Sequence, residues 1–485
     1  MVFSSHLFLF YFLPAALLAY YLTPRRGRNL LLTAASYLFY GWANPLFTVL
    51  LMGTTLVDYL CGLFLACPSG PFGRGPVELL PEGGPRTRTQ RAALVCSLAS
   101  NLAVLGFFKY FNLAVESWSA LAAGLGLSGP GLDLAFRVTL PLGISFYTFQ
   151  SMSYAIDVYR GRAKAIRSFV DFACFVSMFP QLVAGPIIRF SDVADQLRNR
   201  SASVDKFARG VAFFGLGLAK KVLLANPCGK IADTVFNAGS ASALHSWYGA
   251  VAYAFQIYFD FSGYSDMAIG LGLMLGFVFA KNFDSPYRSR SITEFWTRWH
   301  LSLSSWLRDY LYIPLGGNRR GPVRTYVNLM LVMLLGGLWH GAAWTFVIWG
   351  GIHGTMLVVE RLRGKTSCYA RLPGALQTGI TFLVLLFTWV FFRSPDLASA
   401  LAYCGRMLGL GSAPPGAALI DAVIFRPYYV ITLGACAVVT WFGVQTWDWT
   451  RRLTAAKAVL ILCLLWLSIA ALSTQAYNPF IYFIF

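Results

Sequence analysis

The 485-residue chain is too apolar for a soluble protein, because 57% of its residues are hydrophobic and only 12% are charged, against roughly 25% charged residues in soluble domains. Its formal net charge of +19 would suit a nucleic-acid ligand, but the basic residues lie in short loops between apolar stretches, as in the cytoplasmic loops of membrane proteins. The composition therefore predicts an integral membrane protein and argues against a nucleic-acid partner.

Apolar stretches recur along the whole chain. Since a membrane-spanning helix needs roughly 20 residues, we expect about 11 transmembrane or re-entrant helices, in a single all-α domain covering residues 1–485. Two of these helices are expected in 326–359, and the others in 7–22, 47–65, 92–108, 169–188, 211–224, 247–279, 378–392, 429–442 and 458–472. The first stretch is not preceded by basic residues, which favours a retained helix over a signal peptide.

The segment 68–91 is rich in Gly, Pro and Arg, and we predict a flexible cytoplasmic loop there. Glycines inside two apolar runs predict close contact between helices in lipid; they are Gly210, Gly215, Gly217, Gly270, Gly272 and Gly276. The nine cysteines form no C-x-x-C pair and have no histidine close by, so neither a metal site nor a disulfide framework is predicted.

Two carboxylates, Asp260 and Asp266, lie in the apolar run that opens the central part of the chain, 247–360. Carboxylates at membrane depth should be paired or hydrogen-bonded. Asp266 could bond Ser262 or Tyr264 locally, and either carboxylate could orient a histidine. It is an equally open interpretation that the helix breaks here and that polar side chains bond its free backbone groups.

An amphipathic helix is predicted from Ser291, because Ser291 and Glu294 have the spacing of a capping box. Aromatic and leucine side chains then recur at three- and four-residue intervals as far as Tyr310, and Pro314 with the glycines after it should end the helix. The helix carries His300 and is expected to lie at the cytoplasmic interface or to dip into the protein.

The stretch 326–359 is almost wholly apolar and has basic clusters at both ends. It predicts a helical hairpin that bends near Gly341, with both ends facing the cytoplasm. Counted from Arg324 along a straight helix, His340 lies roughly 24 Å into a hydrocarbon core about 30 Å thick. An ionisable side chain at that depth is a functional-site candidate.

Desolvation keeps a buried histidine neutral, so His340 could take the proton from a hydroxyl that attacks an acyl donor. The chain has no G-x-S-x-G motif, and direct transfer is therefore simpler than an acyl-enzyme. The structural alternative, a buried histidine that only ties helices together, stays open on the residues alone.

Several motifs together resemble the membrane-bound O-acyltransferase family. They are 1–5, 143–150, 179–187, 259–266, 298–318 and the triplet Trp339-His340-Gly341, in order along nearly the whole chain. The resemblance implies a ring of tilted helices around a thin centre, with His340 as the catalytic histidine. His300 takes the second, more variable motif position and could be a second base, a tunnel-lining residue or a helix-cap partner. His353 also fits the pattern, with hydrogen bonding as its favoured role.

The resemblance further implies a thioester donor on the cytoplasmic side, acetyl-coenzyme A or an acyl carrier, and no bound cofactor or metal. Arg319, Arg320 and Arg324, with Arg288 and Arg290, could hold the donor phosphates, although the cytoplasmic location of the loops alone would also account for these arginines. Candidates for lining the tunnel or supporting the histidines are Trp299, Trp339, Asp260, Asp266, Gln181, Gln150 and Asn318.

The function that the resemblance implies is acetyl transfer across the bacterial inner membrane for O-acetylation of an exported polysaccharide such as alginate, directly or through a periplasmic acetyltransferase partner. Alternatives within the family are D-alanyl transfer and acylation of a lipid or protein. An alternative of another class is a transporter or channel with intramembrane His and Asp, which the lack of obvious inverted repeats disfavours.

Overall fold

A computed structural model describes residues 1–67, 77–126, 137–238, 241–410, 417–475 and 477–481. These residues form helices and connecting segments without any β-strand, which confirms the predicted all-α class. Residues 68–76 of the predicted flexible loop lie outside the described ranges. Its remainder is irregular only as far as Thr87, because a helix begins at Arg88, and Arg86 Nε donates to the carbonyl oxygen of Tyr159 at 2.7 Å.

The described residues divide into two compact units. The first contains Leu7–Ala202 with Met1–Val2 and Leu275–Phe279, and the second contains Ser203–Met274 and Ala280–Phe485 with Phe3–His6. One domain over the whole chain stays a prediction. The α-helices of the first unit are α1 (Leu13–Leu22, continuing a π-helical turn at Leu7–Phe12), α2 (Arg28–Gly41), α3 (Pro45–Ala66), α4 (Arg88–Gly124), α5 (Ile144–Arg160), α6 (Phe169–Ser177), α7 (Phe179–Leu182) and α8 (Phe190–Asn199).

The apolar stretch 169–188, counted among the crossing or re-entrant helices, is not one continuous helix in the structure. Helix α6 ends at Ser177, Met178 is extended with ψ 114°, and α7 lasts for four residues. Pro180 cannot donate a backbone hydrogen bond to the preceding turn. Residues 178–188 are nevertheless buried, in agreement with the rule that irregular backbone at membrane depth is tolerated where protein covers it.

The second unit carries the motifs that resemble the acyltransferases. Its α-helices are α9 (Val204–Ala219), α10 (Asn226–Phe236), α11 (Ala243–Met274), α12 (Ile292–Trp296), α13 (Leu301–Leu307), α14 (Pro322–His340), α15 (Trp344–Leu362), α16 (Gly374–Arg393), α17 (Leu397–Met407), α18 (Ala417–Ile424), α19 (Pro427–Trp441), α20 (Thr446–Trp449) and α21 (Ala455–Thr474). Short π-helical turns at Lys220–Ala225 and Arg308–Tyr312 continue α9 and α13.

Five of the described helices are long and apolar enough to cross a membrane: α3, α4, α14, α16 and α21. The segment Leu7–Leu22 and helix α19 are apolar but shorter. These lengths support a multi-pass protein, while the figure of about 11 crossing or re-entrant helices stays a prediction.

Glycine permits close packing of α9 on α11, as the sequence predicts. A Cβ atom at Gly210 would lie 2.6 Å from the carbonyl oxygen of Gly270, and one at Gly217 would lie 2.5 Å from that of Gly263. No side chain fits into either gap. The two backbones can therefore make the close approach through which helices associate in lipid.

The predicted hairpin is confirmed, with α14 and α15 joined by residues 341–343. Gly341 is extended with φ −156° and ψ 151°. A Cβ at Gly350 would lie 2.3 Å from the carbonyl oxygen of Met333, and one at Gly337 equally close to that of Phe346. The hairpin thus packs backbone against backbone, and it fixes the position of His340 at the end of α14.

Candidate active site

His340 is the last residue of α14 and is buried in an aromatic enclosure. The centroid of its ring lies 5.1 Å from that of Trp339 and 5.3 Å from those of Trp349 and Phe392. Trp349 comes from α15 and Phe392 from α16, so three helices build the enclosure. His340 is only 6% exposed, and low-dielectric surroundings of this kind strengthen any electrostatic interaction made there.

The predicted amphipathic helix starts at the predicted residue but is not continuous. Ser291 Oγ accepts from the backbone N–H of Glu294 at 3.0 Å, whereas the Glu294 carboxylate accepts from Arg290 N rather than closing the box on Ser291. Helix α12 then ends at Trp296, and His300 has the left-handed φ of +45° before α13 begins at Leu301. A continuous helix from Ser291 is therefore wrong.

Backbone hydrogen bonds to the segment after α11 compensate for the break. Leu301 N donates to the carbonyl oxygen of Asn282, and Asp284 N donates to that of Arg298, both at 2.9 Å. These two bonds satisfy buried backbone groups that a helix would otherwise satisfy itself. They also hold His300 in a conformation that a non-glycine residue adopts only where its surroundings enforce it.

The break brings His300 next to His340. The two ring centroids are 6.3 Å apart at an interplanar angle of 62°, and the ring of Phe261 meets His300 edge-on at 4.6 Å. His300 occupies the N-cap position of α13, but its side chain does not cap the helix. Of the three roles predicted for His300, that of a side-chain helix cap is therefore contradicted.

His300 is not part of any of the five candidate membrane spans, and it is fully buried. Burial, and then the neighbouring His340 imidazole, lower the pKa of His300 well below its ordinary value. The imidazole is therefore neutral at physiological pH and has one nitrogen that can accept a proton. Its Nε2 has no hydrogen-bond partner among the described residues.

Asn282 contacts the other nitrogen of His300. Its Oδ1 lies 3.2 Å from His300 Nδ1 and accepts from both the backbone N–H and the hydroxyl of Ser302. Its Nδ2 donates to Ser265 Oγ at 2.9 Å. Asn282 was not predictable from the sequence, because a lone asparagine 18 positions before a histidine has no recognisable spacing.

The two predicted tryptophans have different surroundings. Trp339 adjoins both histidines, with its ring 5.9 Å from that of His300. Trp299 instead packs between Phe295 and Trp389, at 5.5 and 5.0 Å, in the hydrophobic core of this unit. Trp349 and Phe392 were not among the predicted residues, although Trp349 shares a helical face with His353 four residues later.

His353 is buried beside Trp349, and its Nδ1 accepts from Trp296 Nε1 at 3.3 Å. This contact ties α15 to the end of α12. It matches the hydrogen-bonding role that was favoured for His353 over a catalytic one.

Asp260 and Asp266 are paired, as expected, but with lysines rather than with local hydroxyl groups. Asp260 Oδ1 lies 2.7 Å from Lys221 Nζ, and Asp266 Oδ2 lies 2.7 Å from Lys220 Nζ. The suggested bonds from Asp266 to Ser262 or Tyr264 are therefore replaced by an ion pair. Among the contacts of the described residues, none joins either carboxylate to His340, so the suggestion that one of them orients this histidine gains no support.

The other predicted residues are two glutamines of the first unit and four polar residues before and at the start of α14. Gln181 belongs to the Leu7–Ala202 unit, where its Nε2 donates to the carbonyl oxygen of Phe175, and Gln150 is buried in α5 of that unit. Asn318, Arg319, Arg320 and Arg324 are exposed. None of these three arginines forms an ion pair with a described residue.

Of the two further arginines considered for the donor, Arg288 already has partners. Its Nε donates to the carbonyl oxygen of Thr440 at 3.1 Å, and its Nη2 donates to that of Gly443. Arg288 thus satisfies carbonyl groups at the end of α19. Arg290 is exposed, beside Gly374.

Comparison with known proteins agrees with this geometry. Residues 160–394 match the model of the membrane-bound O-acyltransferase family. A probable alginate O-acetylase AlgI of Pseudomonas putida is 44% identical over the full length of both chains. A peptidoglycan O-acetyltransferase of Helicobacter pylori is 36% identical over 84% of this chain and 80% of its own, and a teichoic acid D-alanyltransferase of Bacillus subtilis is 28% identical over 52% and 67%. The chain belongs to the membrane-bound O-acyltransferase family and is a multi-pass membrane O-acyltransferase.

Proposed function

We propose that the chain moves an acetyl group from a cytoplasmic thioester, acetyl-coenzyme A, across the bacterial inner membrane for O-acetylation of an exported polysaccharide such as alginate. The observation that carries the proposal is the pair of buried imidazoles of His340 and His300, 6.3 Å apart inside an aromatic enclosure. Membership of an acyltransferase family sets aside the alternative of a transporter or channel.

In the proposed step, an imidazole nitrogen of His340 takes the proton from the acceptor hydroxyl as that oxygen attacks the thioester carbonyl carbon. The carbon–oxygen bond forms, the carbon–sulfur bond breaks, and the leaving thiolate receives the proton from the imidazolium. Ester and thiol are the products, and His340 returns to its neutral form. The aromatic enclosure keeps water from competing with the acceptor.

Arg319, Arg320 and Arg324 would hold the phosphates of the donor at the start of α14. The three guanidinium groups are exposed and lack ion-pair partners among the described residues, and guanidinium binds phosphate through paired hydrogen bonds. His340 lies at the other end of the same helix. The extended arm of a coenzyme A thioester could then follow the helix from its phosphates to its acyl group.

The acceptor is proposed from the relatives. The protein of Pseudomonas putida, similar over the full length of both chains, is named for alginate O-acetylation, which supports a polysaccharide such as alginate as the acceptor. The periplasmic acetyltransferase partner is part of the proposal. The lower identity and partial coverage of the teichoic acid D-alanyltransferase favour acetyl over D-alanyl transfer. Acylation of a lipid or protein is the remaining alternative within the family.

The test compares wild type with His340→Ala in liposomes that are supplied with radiolabelled acetyl-coenzyme A, the polysaccharide and the partner. Loss of a general base should lower acetyl transfer by about 100-fold or more. His6→Ala is the matched control, since His6 is exposed and bonds Ser473 Oγ at 3.0 Å, and this variant should retain wild-type transfer. Equal transfer by His340→Ala and wild type would contradict the proposal.

A further inference from the structure

We infer that Asn282 is a positioning residue that holds His300 as the tautomer with its proton on Nδ1, so that Nε2 carries the lone pair. The inference rests on the proposed acetyl transfer at the histidine pair and extends it to a residue outside the motifs. Which nitrogen of a neutral imidazole carries the proton is set by the hydrogen bond that the other nitrogen makes.

The orientation of the Asn282 amide follows from its neighbours. Its Oδ1 faces the backbone N–H of Ser302 at 3.3 Å, and its Nδ2 faces Ser265 Oγ at 2.9 Å. A flipped amide would bring its NH₂ group against the N–H of Ser302, which can only donate. The oxygen of Asn282 therefore faces His300.

The tautomer of His300 follows from that orientation. His300 Nδ1 lies 3.2 Å from Asn282 Oδ1, and without a proton on Nδ1 two lone pairs would face each other at that distance. The Ser302 hydroxyl is the weaker partner of His300 Nδ1, because it lies closer to Asn282 Oδ1, at 2.9 Å, than to His300 Nδ1, at 3.4 Å. Nδ1–H therefore donates to Asn282.

The remaining nitrogen, Nε2, is thereby an acceptor in a fully buried environment, without a hydrogen-bond partner among the described residues. A buried acceptor without a hydrogen bond costs free energy in the folded state. This cost is expected for a nitrogen that accepts its hydrogen bond or proton from a bound substrate. The edge of Phe261 and the ring of Trp339 confine the imidazole, so rotation cannot exchange the two nitrogens without repacking.

The backbone of Asn282 contributes as well. Its carbonyl oxygen accepts from Leu301 N, so that backbone and side chain of one residue hold His300 and the two residues that follow it. Asn282 thus links the segment after α11 to the break between α12 and α13. The positive φ of His300 and the direction of its ring are enforced together.

The experiment measures the tautomer of His300 and the kinetics of acetyl transfer on the full chain in nanodiscs. With five histidines in the chain, nitrogen-15 and carbon-13 labelling of histidine gives a resolvable spectrum, and His300→Gln identifies the signals of His300. In wild type we expect the Nδ1–H tautomer. Asn282→Ala should lose this preference and lower kcat about 10- to 100-fold, while KM for acetyl-coenzyme A changes less than about threefold.

Two variants test whether Asn282 positions His300 or only fills space beside it. Asn282→Asp keeps the oxygen toward His300, and Ser265 can donate to its other oxygen, so we expect the Nδ1–H tautomer and kcat within about fivefold of wild type. Asn328→Ala removes an equally buried amide that donates to the carbonyl oxygen of Gly317, and it should leave the His300 signals unchanged. If Asn282→Ala does not fold, Ser265→Ala removes the anchor of the amide and should mix the tautomers.

An Nε2–H tautomer in wild type would overturn the inference, as would wild-type kcat in a folded Asn282→Ala variant. Failure of the proposed function has a different signature, because the tautomer is measured without substrate. Acetyl transfer that survives His340→Ala would contradict the proposed function while leaving the His300 spectrum as predicted.

Discussion

Lys221 and Asp260 form an ion pair whose side chains are only 3% and 2% exposed. Lys221 Nζ also donates to the carbonyl oxygen of Pro479, and Asp260 Oδ2 accepts from Ile481 N. The pair therefore joins the π-helical turn after α9, the middle of α11 and the end of the described chain. Its charges are satisfied within this network, which explains how an aspartate can persist in an apolar helix.

Removal of one partner should show the difference between a buried and an exposed pair. Lys221→Met leaves the Asp260 carboxylate buried without its cation, and it should lower the free energy of unfolding by about 3–5 kcal/mol. Thermal unfolding in detergent, followed by circular dichroism, measures the change. Lys221→Met combined with Asp260→Leu should recover much of the loss, because both buried charges are then absent.

The exposed pair of Arg162 with Glu82 is the control, since its N–O distance is 3.4 Å and its side chains are 49% and 71% exposed. Arg162→Met should change the free energy of unfolding by no more than about 1 kcal/mol. Similar losses for the two single variants would show that the buried pair gains nothing from its burial and its added hydrogen bonds.

Single residues were predictable from the sequence where their chemistry contrasts with their surroundings. His340 stands out as an ionisable group in an apolar run, and Asp260 as a carboxylate that needs a partner. The partner itself was not predictable, because Lys221 lies 39 positions away on another helix. Asn282 was missed for the same reason: its role depends on a backbone break that no residue nearby signals.

At the scale of elements, the hairpin was predictable and the broken helix was not. The length of the apolar run and the basic clusters at its ends predict two crossings, and Gly341 marks the bend. The pattern of apolar residues continues through His300, without a proline or glycine to indicate a break. The break is stabilised by Asn282 and Asp284, whose hydrogen bonds to the segment 298–301 are tertiary, and tertiary contacts override local pattern.

Gly350→Ala should loosen the hairpin. The new Cβ would lie 2.3 Å from the carbonyl oxygen of Met333, a backbone atom that can move only if α14 and α15 separate. Overpacking of this kind costs about 1–3 kcal/mol, and the shift of α14 should also displace His340. The temperature of thermal unfolding and the rate of acetyl transfer should both be lower than in wild type.

Gly379→Ala is the matched control within α16, because a Cβ there would have no atom within 4 Å. Alanine is preferred over glycine in a helix by roughly 0.5–1 kcal/mol, so this variant should be as stable as wild type or slightly more so, with unchanged transfer. Equal behaviour of the two variants would mean that the hairpin adapts to the added methyl group without displacing its helices.

For the whole molecule, the class of protein was predictable because composition alone requires a bilayer. The number of crossings was not, since several apolar segments are short, broken or buried in protein rather than exposed to lipid, as in 169–188. The sidedness of the chain follows from charge: the basic groups at the start of α14 and after α15 predict that both ends of the hairpin face the cytoplasm.

Thiol labelling can test this sidedness through a native cysteine. Cys368 is exposed in the segment after α15, and Arg320 is exposed just before α14. In a chain whose other exposed cysteines, Cys96 and Cys463, are replaced by serine, a membrane-impermeant maleimide should label Cys368 and Arg320→Cys in inside-out vesicles and neither in intact spheroplasts. Gln475→Cys, after the candidate span α21 that follows two arginines, should show the opposite pattern.

The two labels near the hairpin test its fold and its sidedness separately. Because α14 and α15 form a hairpin, Cys368 and Arg320→Cys must react from the same side whichever side that is, and labelling from opposite sides would contradict the hairpin itself. Labelling of both in spheroplasts would keep the hairpin but place Arg319, Arg320 and Arg324 outside. The donor phosphates would then have to bind elsewhere, because coenzyme A thioesters are made in the cytoplasm and their charge prevents free passage through the bilayer.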